Sequence, residues 1–241
     1  MRVNLQPAFL LHSRPYRDSS QLLEVFTPEY GRLSLVGRGV HRKARGGSLR
    51  ATLQPFRPLL LSFSGRSELQ SLVSAEPAGL AITLRGERLF SGLYLNELLL
   101  RLLHSQSPHQ ALFAYYGETL HNLSGEAAID TVLRSFELRL LDELGYGFDP
   151  LWDVRAQSSV KAEAWYEYHP GLGLVECHSQ AVPEHSRFAG HDLQAIAKGQ
   201  FGGARSQVAK RLLRQVIAEH LGGRPLHTRE LFRQFRQKAV Q

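Results

Sequence analysis

The sequence is poor in the residue types that build disulfides and thiolate metal centres, since one cysteine, Cys177, occurs in 241 residues. One cysteine excludes an internal disulfide and a zinc site with several thiolate ligands. The sequence also has no apolar run near the roughly 18 residues that cross a bilayer, and Arg14 closes the short apolar stretch at the N-terminus. We therefore expect a cytoplasmic protein with no membrane segment.

Motifs for nucleotide binding and for covalent catalysis are also missing. There is no GxxxxGK[ST] phosphate loop, and GRGVHR at 37–42 lacks the third glycine of a dinucleotide loop. No GxSxG elbow occurs, and Asp142 and Glu143 would point to different sides of a helix. Histidines gather around Cys177 without the spacing of zinc knuckles. We expect no enzymatic activity, no cofactor and no metal ion.

Charge of one sign is unevenly distributed along this chain, whose net charge is +7. Residues 1–80 carry +6 (11 Lys/Arg against 5 Asp/Glu), and residues 81–186 carry −7 (7 against 14). Residues 187–241 carry +8 (11 against 3). Two basic ends around an acidic middle indicate an acidic partner, such as nucleic acid, rather than a general solubility charge.

The strongest positive feature is the run GRGVHRKARGGSLR, residues 37–50, which has five Lys/Arg, four glycines and no acid. A solvated loop is the ordinary interpretation, but we favour a phosphate clamp, since Lys and Arg bind phosphates regardless of sequence. Tyr16 lies between further arginines and could stack on a base, whereas Phe26 and Phe56 could belong to the core. The candidate DNA-binding residues are Arg14, Arg17, Arg32, Arg38, Arg42, Lys43, Arg45 and Arg50.

Hydrophobic periodicity predicts a multi-domain α+β protein. Residues 1–80 contain five short β-type runs between turn signals such as Tyr30-Gly31, which suits a small closed barrel such as an OB-fold. From residue 81 to 241 the pattern is mainly helical, with a small β-hairpin insertion at about 151–180 that turns at Pro170-Gly171.

Three local predictions concern element boundaries. The run at 53–63 contains Pro55 and Pro58 and predicts an edge strand or a bulge. Ser107-Pro108 predicts a helix with proline in its first position. Thr228 predicts the N-cap of a short last helix over 229–235.

The helix predicted over 126–144 has a second face beside its core stripe. At about 100° per residue, Arg134, Leu138 and Leu141 cluster on that face. Either the domain buries both faces, or this face is an apolar patch with a cation, suited to a peptide with an apolar side chain and a carboxylate.

Five segments, in the same order, resemble the RecO family of bacterial DNA repair and recombination mediators. They are AFLLHSRPYRDSSQLLEVFTPEYGRLSLVGRGV, LQPFRPLLLSFSGRSELQSLVSAEP, LFSGLYLNELLLRLL, RSFELRLLDELGYG and RPLHTRELFRQF. The resemblance covers most of the chain and is loose over 151–200. It implies an N-terminal OB-fold, a helical domain and no enzymatic activity.

The resemblance also implies the partners. Such proteins bind single- and double-stranded DNA, anneal complementary strands, and bind the acidic, phenylalanine-ending tail of the single-stranded DNA-binding protein SSB. With RecR, and in some settings RecF, they help load RecA on SSB-coated DNA in the RecF pathway, which places this protein at the nucleoid. The candidate residues for the SSB tail are Arg134, Leu138, Leu141 and Arg139.

One segment departs from the family pattern. Many members carry a four-cysteine zinc site after the segment ending in GYG, where this chain reads FDPLWDVRA. We therefore expect the zinc to be absent, and packing of the hairpin around Trp152 and Trp165 to replace it. Two other classes stay open: a plain nucleoid DNA binder, and an adaptor that binds only proteins. SSB-tail binding would exclude the first and DNA binding the second.

Overall fold

The structure, a computed structural model, describes residues 2–17, 20–39, 43–44, 47–146, 148–178 and 183–239. The chain forms two compact units, residues 1–126 with 226–241 and residues 127–225. The strands are β1 (Arg2–Tyr16), β2 (Ser20–Thr27), β3 (Gly31–Arg38), β4 (Lys43–Ala44), β5 (Gly47–Ser48), β6 (Leu59–Ser64), β7 (Leu69–Pro77), β8 (Trp152–Asp153), β9 (Ser158–Ser159), β10 (Trp165–His169), β11 (Gly173–Glu176) and β12 (Arg187–Ala189). The helices are α1 (Leu49–Thr52), α2 (Glu87–Leu102), α3 (Gln110–Ser124), α4 (Ile129–Glu143), α5 (Gly190–Ala197), α6 (Arg205–His220) and α7 (His227–Ala239).

The first unit is built on a closed five-stranded barrel in the order β1-β2-β3-β7-β6, with β3 and β7 parallel. Alternate residues face the interior, because successive side chains of a strand point to opposite faces. The interior residues are Val3, Ala8, Leu10, Leu23, Val25, Leu33, Leu35, Leu53, Leu59, Leu61 and Phe63. The barrel confirms the predicted α+β fold with an N-terminal OB-like domain. The boundary predicted at residue 80 falls between β7 and α2 and stays a prediction.

The predicted turn at Tyr30-Gly31 fixes the register of the β2–β3 hairpin. Gly31 has φ +61°, and a Cβ there would lie 1.8 Å from the Ser107 carbonyl oxygen. Glycine is therefore required both by backbone conformation and by close approach. Because Gly31 pairs with Thr27, Ser34 comes to lie opposite Glu24.

Helices α2 and α3 pack against strands β1 and β2 of the barrel. Phe9 and Phe26 of the barrel contact α3: the Phe9 ring lies 5.1 Å from the Tyr116 ring, and the Phe26 ring lies 5.4 Å from the Phe113 ring. Asn96 of α2 is buried, donates from Nδ2 to the Leu11 carbonyl at 3.0 Å, and accepts from the Tyr116 hydroxyl. The buried amide thereby ties both helices to β1.

The C-terminal helix α7 belongs to the barrel unit. The Glu97 carboxylate of α2 accepts hydrogen bonds from the backbone N–H groups of His227 (2.8 Å) and Thr228 (2.9 Å), and from the Thr228 hydroxyl (2.6 Å). Phe90 of α2 packs on Phe235 at 4.8 Å. The predicted cap at Thr228 is wrong: Thr228 lies in the first turn, and a carboxylate from another helix satisfies its free N–H groups.

Two other boundaries also differ from the prediction. The segment before β6 is not a strand, because Pro55 and Pro58 cannot donate to a ladder, and β6 begins only at Leu59. Helix α3 begins at Gln110, because His109 has the non-helical angles φ −143° and ψ 70°. Pro108 therefore lies outside the first turn.

The second unit combines α4, α5 and α6 with a five-stranded sheet in the order β12-β10-β11-β8-β9. The predicted hairpin is present as β10 and β11, inside a larger sheet. The two tryptophans are not its packed centre, since Trp152 is 38% and Trp165 45% exposed. The sheet instead buries Tyr166, Leu174 and Phe188.

A buried carboxylate joins two strands of this small sheet. Asp153 of β8 accepts hydrogen bonds from the backbone N–H groups of Arg155 and Ala156 at 2.9 Å, and from Glu176 of β11 at 3.0 Å. Burial raises the pKa of Asp153, but the three N–H donors together outweigh it, so its pKa lies below the ordinary value. The ionised carboxylate therefore stabilises the sheet.

Candidate nucleic-acid interface

The outer face of β1, β2 and β3 brings predicted residues from two segments together. Tyr16 lies opposite Ser20, and Ser20 lies opposite Arg38. Residues directly opposite one another point to the same side of a sheet. Arg14, two residues before Tyr16, shares that side because the side-chain period is two. The interior position Leu23 is fully buried, so the face that carries these residues is the outward one.

The cations of this face are available to bind an anion. Arg14 and Arg38 are exposed, and neither forms an ion pair with another residue that the structure describes. Tyr16 and Arg38 stand two inter-strand spacings apart, about 10 Å. A polyanion that crosses these strands would therefore contact the Tyr16 ring and the guanidinium groups of Arg14 and Arg38.

Arg17 stacks on the aromatic ring of this face. Its guanidinium carbon lies 5.3 Å from the centre of the Tyr16 ring. Arg17 has φ +53°, an uncommon conformation for a residue other than glycine. The half-buried ring and the exposed cation together form a surface on which a base can stack.

Arg32 is placed differently from the other candidate arginines. Its Nη1 lies 3.1 Å from Glu24 Oε2, and its Nε donates to the Leu103 carbonyl at 3.2 Å. The Ser34 hydroxyl contacts both Glu24 oxygens, at 2.9 and 3.0 Å. The sequence analysis did not predict Glu24 as the partner of Arg32. The signal was the Tyr30-Gly31 turn, because pairing the two strands from this turn outward places Glu24 and Arg32 near each other on neighbouring strands.

The basic run is described only in part. Arg42 and Arg45 lie outside the described residues, and for Lys43 the structure gives the backbone pairing with Ser48. Arg50 is exposed at α1. The phosphate-clamp interpretation of these four residues stays a prediction. Of the other aromatic candidates, Phe26 and Phe56 are 0% and 5% exposed and belong to the core.

The predicted SSB-tail residues are mostly buried on α4. Arg134 is 4% exposed, and its Nη2 lies 2.6 Å from Glu137 Oε1, also buried. Leu141 is buried and Leu138 half-buried. Arg139 is the exposed cation of the set, 3.6 Å from both Asp142 and Glu143. The four side chains therefore do not form one open patch.

The basic helix α6 has most of its cations engaged. Lys210 lies 3.6 Å from Asp130, and Arg205 lies 3.4 Å from Asp192. Arg211 donates to the Arg187 carbonyl at 2.9 Å and stacks over a phenylalanine ring. Arg214 is exposed and has no ion-pair partner in the described part of the chain. Two of the four cations of this helix, Arg205 and Lys210, are therefore paired with a carboxylate, and both pairs are partly exposed.

The residues of the cysteine and histidine cluster, His169, Cys177, His178, His185 and His191, all lie in the second unit. Within the described residues, no group of three or more His, Cys, Asp or Glu side chains could hold a metal ion. Burial raises the pKa of the Cys177 thiol, and the Glu167 carboxylate raises it further. Such a thiol is a weak nucleophile at neutral pH.

None of the described helices is long and apolar enough to span a membrane.

The fold and this face define an OB-like barrel protein with a basic outer face, on which Arg14 and Arg38 lie near the half-buried Tyr16 and have no described ion-pair partner. Comparison with known sequences is more specific. Residues 1–81 match the family model "Recombination protein O N terminal", and residues 84–230 match "Recombination protein O C terminal".

Individual relatives agree with the family models. The protein called DNA repair protein RecO in Nitrosococcus oceani is 46% identical over 238 residues, covering 98% of this chain and 96% of the relative. Its namesakes in Methylococcus capsulatus and Stutzerimonas stutzeri are 42% and 47% identical, covering 96% and 94% of this chain and 94% and 92% of the relatives. The chain belongs to the RecO family, which confirms the predicted role in DNA repair and recombination.

Proposed function

We propose that this protein is a non-enzymatic mediator that holds DNA on its barrel and the SSB tail on its second unit. The observation that carries the DNA half is the outward cluster of Arg14, Tyr16 and Arg38, in which the two arginines have no described ion-pair partner. Phosphate contacts are sequence-independent, so the same face serves single and double strands. Arg17 and the basic run through Arg50 extend it, whereas Arg32 contributes by neutralising Glu24.

Annealing follows from the same charge. Two complementary strands repel each other, and a cationic surface lowers that repulsion without nucleotide hydrolysis. The base-stacking ring of Tyr16 would hold a strand with its bases unpaired and ready to pair.

The SSB tail is proposed to bind along α4. Arg139 would meet the tail's carboxylates first, because it is exposed and its ion pairs are long and solvated. Leu138, half-buried beside it, offers an apolar contact for the terminal phenylalanine. Arg134 and Leu141 become accessible only if α4 shifts, and the buried Arg134 Nε, without a hydrogen-bond partner in the described residues, could then bind a carboxylate.

Membership of the RecO family supports the remaining partners. With RecR, and in some settings RecF, the mediator would help RecA replace SSB on single-stranded DNA at the nucleoid of the cytoplasm. Both tail and DNA must be bound for this exchange, because the tail recruits the mediator and the barrel captures the strand that SSB releases.

The deciding experiment measures annealing of labelled complementary strands coated with whole SSB or with SSB lacking its tail, without nucleotide. Fast annealing with the intact tail alone is the expected result. Arg139→Ala should abolish the difference between the two SSB forms, whereas Arg214→Ala, an exposed arginine of α6, serves as the matched control. Equal annealing on both forms would remove the tail site, and no annealing even on bare strands would favour the protein-only adaptor.

A further inference from the structure

Both tryptophans of the chain, Trp152 and Trp165, lie on one face of the sheet in the second unit. Strand register pairs Tyr168 of β10 with Leu174 of β11, and Leu174 with Asp153 of β8, so these three side chains share a face. Side chains alternate along a strand, so Trp165, three residues before Tyr168, and Trp152, one residue before Asp153, point to the opposite face. We call this opposite face the tryptophan face.

Helix α6 packs on the other face of the sheet. Glu219 of α6 accepts a hydrogen bond from the Tyr168 hydroxyl, and the Arg211 guanidinium carbon lies 5.5 Å from the centre of the Phe188 ring. The residues of this covered face are at most 1% exposed: Asp153, Tyr166, Leu174 and Phe188. The two tryptophans, by contrast, are exposed. The sheet therefore presents two large rings to solvent rather than to its own core.

The two rings are separate features of the tryptophan face. The Trp165 carbonyl accepts a hydrogen bond from the Cys177 N–H at 2.7 Å, and Trp152 lies beside Gly173, next to the Leu174–Asp153 pairing. The two tryptophans are thus offset by about 13 Å along the strands and by about 10 Å across them, or about 16 Å in all. Val175, between them on the same face, is buried. The exposed area therefore consists of two rings and not of a cavity.

A cation without a carboxylate partner lies on the Trp165 ring. The Arg187 guanidinium carbon of β12 is 5.3 Å from the centre of that ring. Glu167 lies opposite Arg187 in register, but its ion pair is with His169, at 3.7 Å. Arg187 forms no ion pair with any residue that the structure describes, and its buried Nε has no hydrogen-bond partner among them. Arg187 is therefore able to bind an incoming anion.

Separate rings with an unpaired cation suit unpaired nucleotides better than a protein partner. Bases stack on aromatic rings and on arginine planes, and some four-stranded sheets stack two or three bases on their exposed aromatic side chains. The phosphate next to a stacked base supplies the anion for Arg187. The anchor residues of protein partners fill well-packed pockets. The buried Val175 leaves no such pocket between the two rings.

We propose that Trp165 and Trp152 stack unpaired bases of single-stranded nucleic acid on the second unit, with Arg187 binding a neighbouring phosphate. This rests on the proposed DNA binding and annealing, and it adds a second contact outside the barrel. Bases that stack on the rings cannot remain paired in a duplex. The tryptophan face therefore selects single strands, whereas phosphate contacts by the barrel arginines serve single and double strands alike.

The experiment titrates the full-length protein with a 12-nucleotide oligothymidylate and measures tryptophan emission, with anisotropy of the labelled strand as a second readout. Because Trp152 and Trp165 are the two tryptophans of the chain, a change in emission reports on this face. We expect saturable quenching by the oligothymidylate and none by an abasic strand of equal length, which keeps the phosphates. The double variant Arg14→Ala, Arg38→Ala should bind more weakly and still show quenching at saturation.

Substitutions separate stacking from charge. Trp165→Ala should weaken binding about tenfold, the effect of losing one stacked base, and leave the salt slope unchanged. Trp165→Phe should retain most of the affinity, because any aromatic ring can stack. Arg187→Gln should lower the salt slope by about 0.7, one phosphate contact. Leu172→Ala, at an exposed apolar residue of the β10–β11 turn, is the matched control and should bind as the wild type does.

The two readouts distinguish failure of this site from failure of DNA binding. Strand binding with unchanged emission would overturn the tryptophan site and leave the barrel site intact, whereas no binding in either readout would overturn both. Equal quenching by the abasic strand, or loss of quenching in the barrel variant at saturation, would also overturn stacking. Unchanged DNA affinity with lost SSB binding in Trp165→Ala would assign the face to a protein partner instead. Thermal melting checks that each variant is folded.

Discussion

The barrel face and helix α4 both carry arginines that the sequence predicts as binding residues, but these arginines differ in exposure and in ion pairing. On the barrel, Arg14 and Arg38 are exposed, with no described ion-pair partner. On α4, Arg134 is 4% exposed and lies 2.6 Å from Glu137. Cations of the first kind can bind a new anion, whereas those of the second kind have one already.

The difference shows why residue counts overstate binding surfaces. Residues 187–241 have the larger excess of positive charge, yet Lys210 and Arg211 of α6 are engaged within their own unit. A cation that already has a carboxylate or carbonyl partner must break that contact before it binds a phosphate. In residues 1–80, Arg14 and Arg38 have no described ion-pair partner, as is also true of Arg214 in α6, and we expect these arginines to contribute more to DNA binding than the paired cations do.

The largest expected effect tests the buried pair. Arg134→Ala should lower the free energy of unfolding by about 3–5 kcal/mol, because it leaves the Glu137 carboxylate buried without its partner. Denaturant unfolding measures this change. The double variant Arg134→Met, Glu137→Leu should recover most of the loss, since no buried charge remains. If Arg134→Ala loses tail binding but not stability, Arg134 binds the ligand directly and the contrast with the barrel disappears.

The next effect tests the exposed arginines. Arg14→Ala with Arg38→Ala should weaken single-stranded DNA binding by about tenfold per arginine, about 1.4 kcal/mol each. That figure lies near the lower end for charge-assisted hydrogen bonds. Titrations at several salt concentrations provide the measurement, and the melting temperature should stay unchanged. A large drop in melting temperature would show that these residues, like Arg134, are structural.

A third prediction concerns the sheet of the second unit. Asp153→Ala should cost about 1–3 kcal/mol of stability, because three N–H groups lose their acceptor. Because the native pKa of Asp153 lies below its ordinary value, its contribution is present above about pH 4 and is lost as the pH falls through the native pKa. Stability of the wild type and of the exposed control Asp142→Ala should thus converge on that of Asp153→Ala in acid. If the difference in stability between the wild type and Asp153→Ala does not change with pH, the effect comes from packing and not from the ionised carboxylate.

Periodicity was sufficient to predict the barrel, the helices and the β10–β11 hairpin, since each depends on local alternation and turn residues. It could not predict closure contacts between distant segments. Glu97 accepts a hydrogen bond from His227, 130 residues away in sequence, and Arg38 comes to lie on the same face as Tyr16 only through strand register. Periodicity also could not predict which ion pairs form, because the pairing of Arg134 with Glu137 depends on which face of α4 is buried. The sequence thus predicted the types of residue in the site, but it did not predict which of them are exposed and which are already paired with a carboxylate.

The smallest effect distinguishes Arg32 from its neighbours on the same barrel. Arg32→Ala removes a partly buried ion pair, so we expect about 1 kcal/mol or less of lost stability and a smaller loss of DNA affinity than Arg14→Ala. Glu24→Gln should instead raise the affinity for DNA, because it releases Arg32 and removes a negative charge from the outer face. The salt slope should then become steeper by up to about 0.7, one additional phosphate contact. If Arg32→Ala weakens binding as much as Arg14→Ala, the Glu24 pair opens in the complex, and an ion pair in the free protein does not remove an arginine from the binding surface.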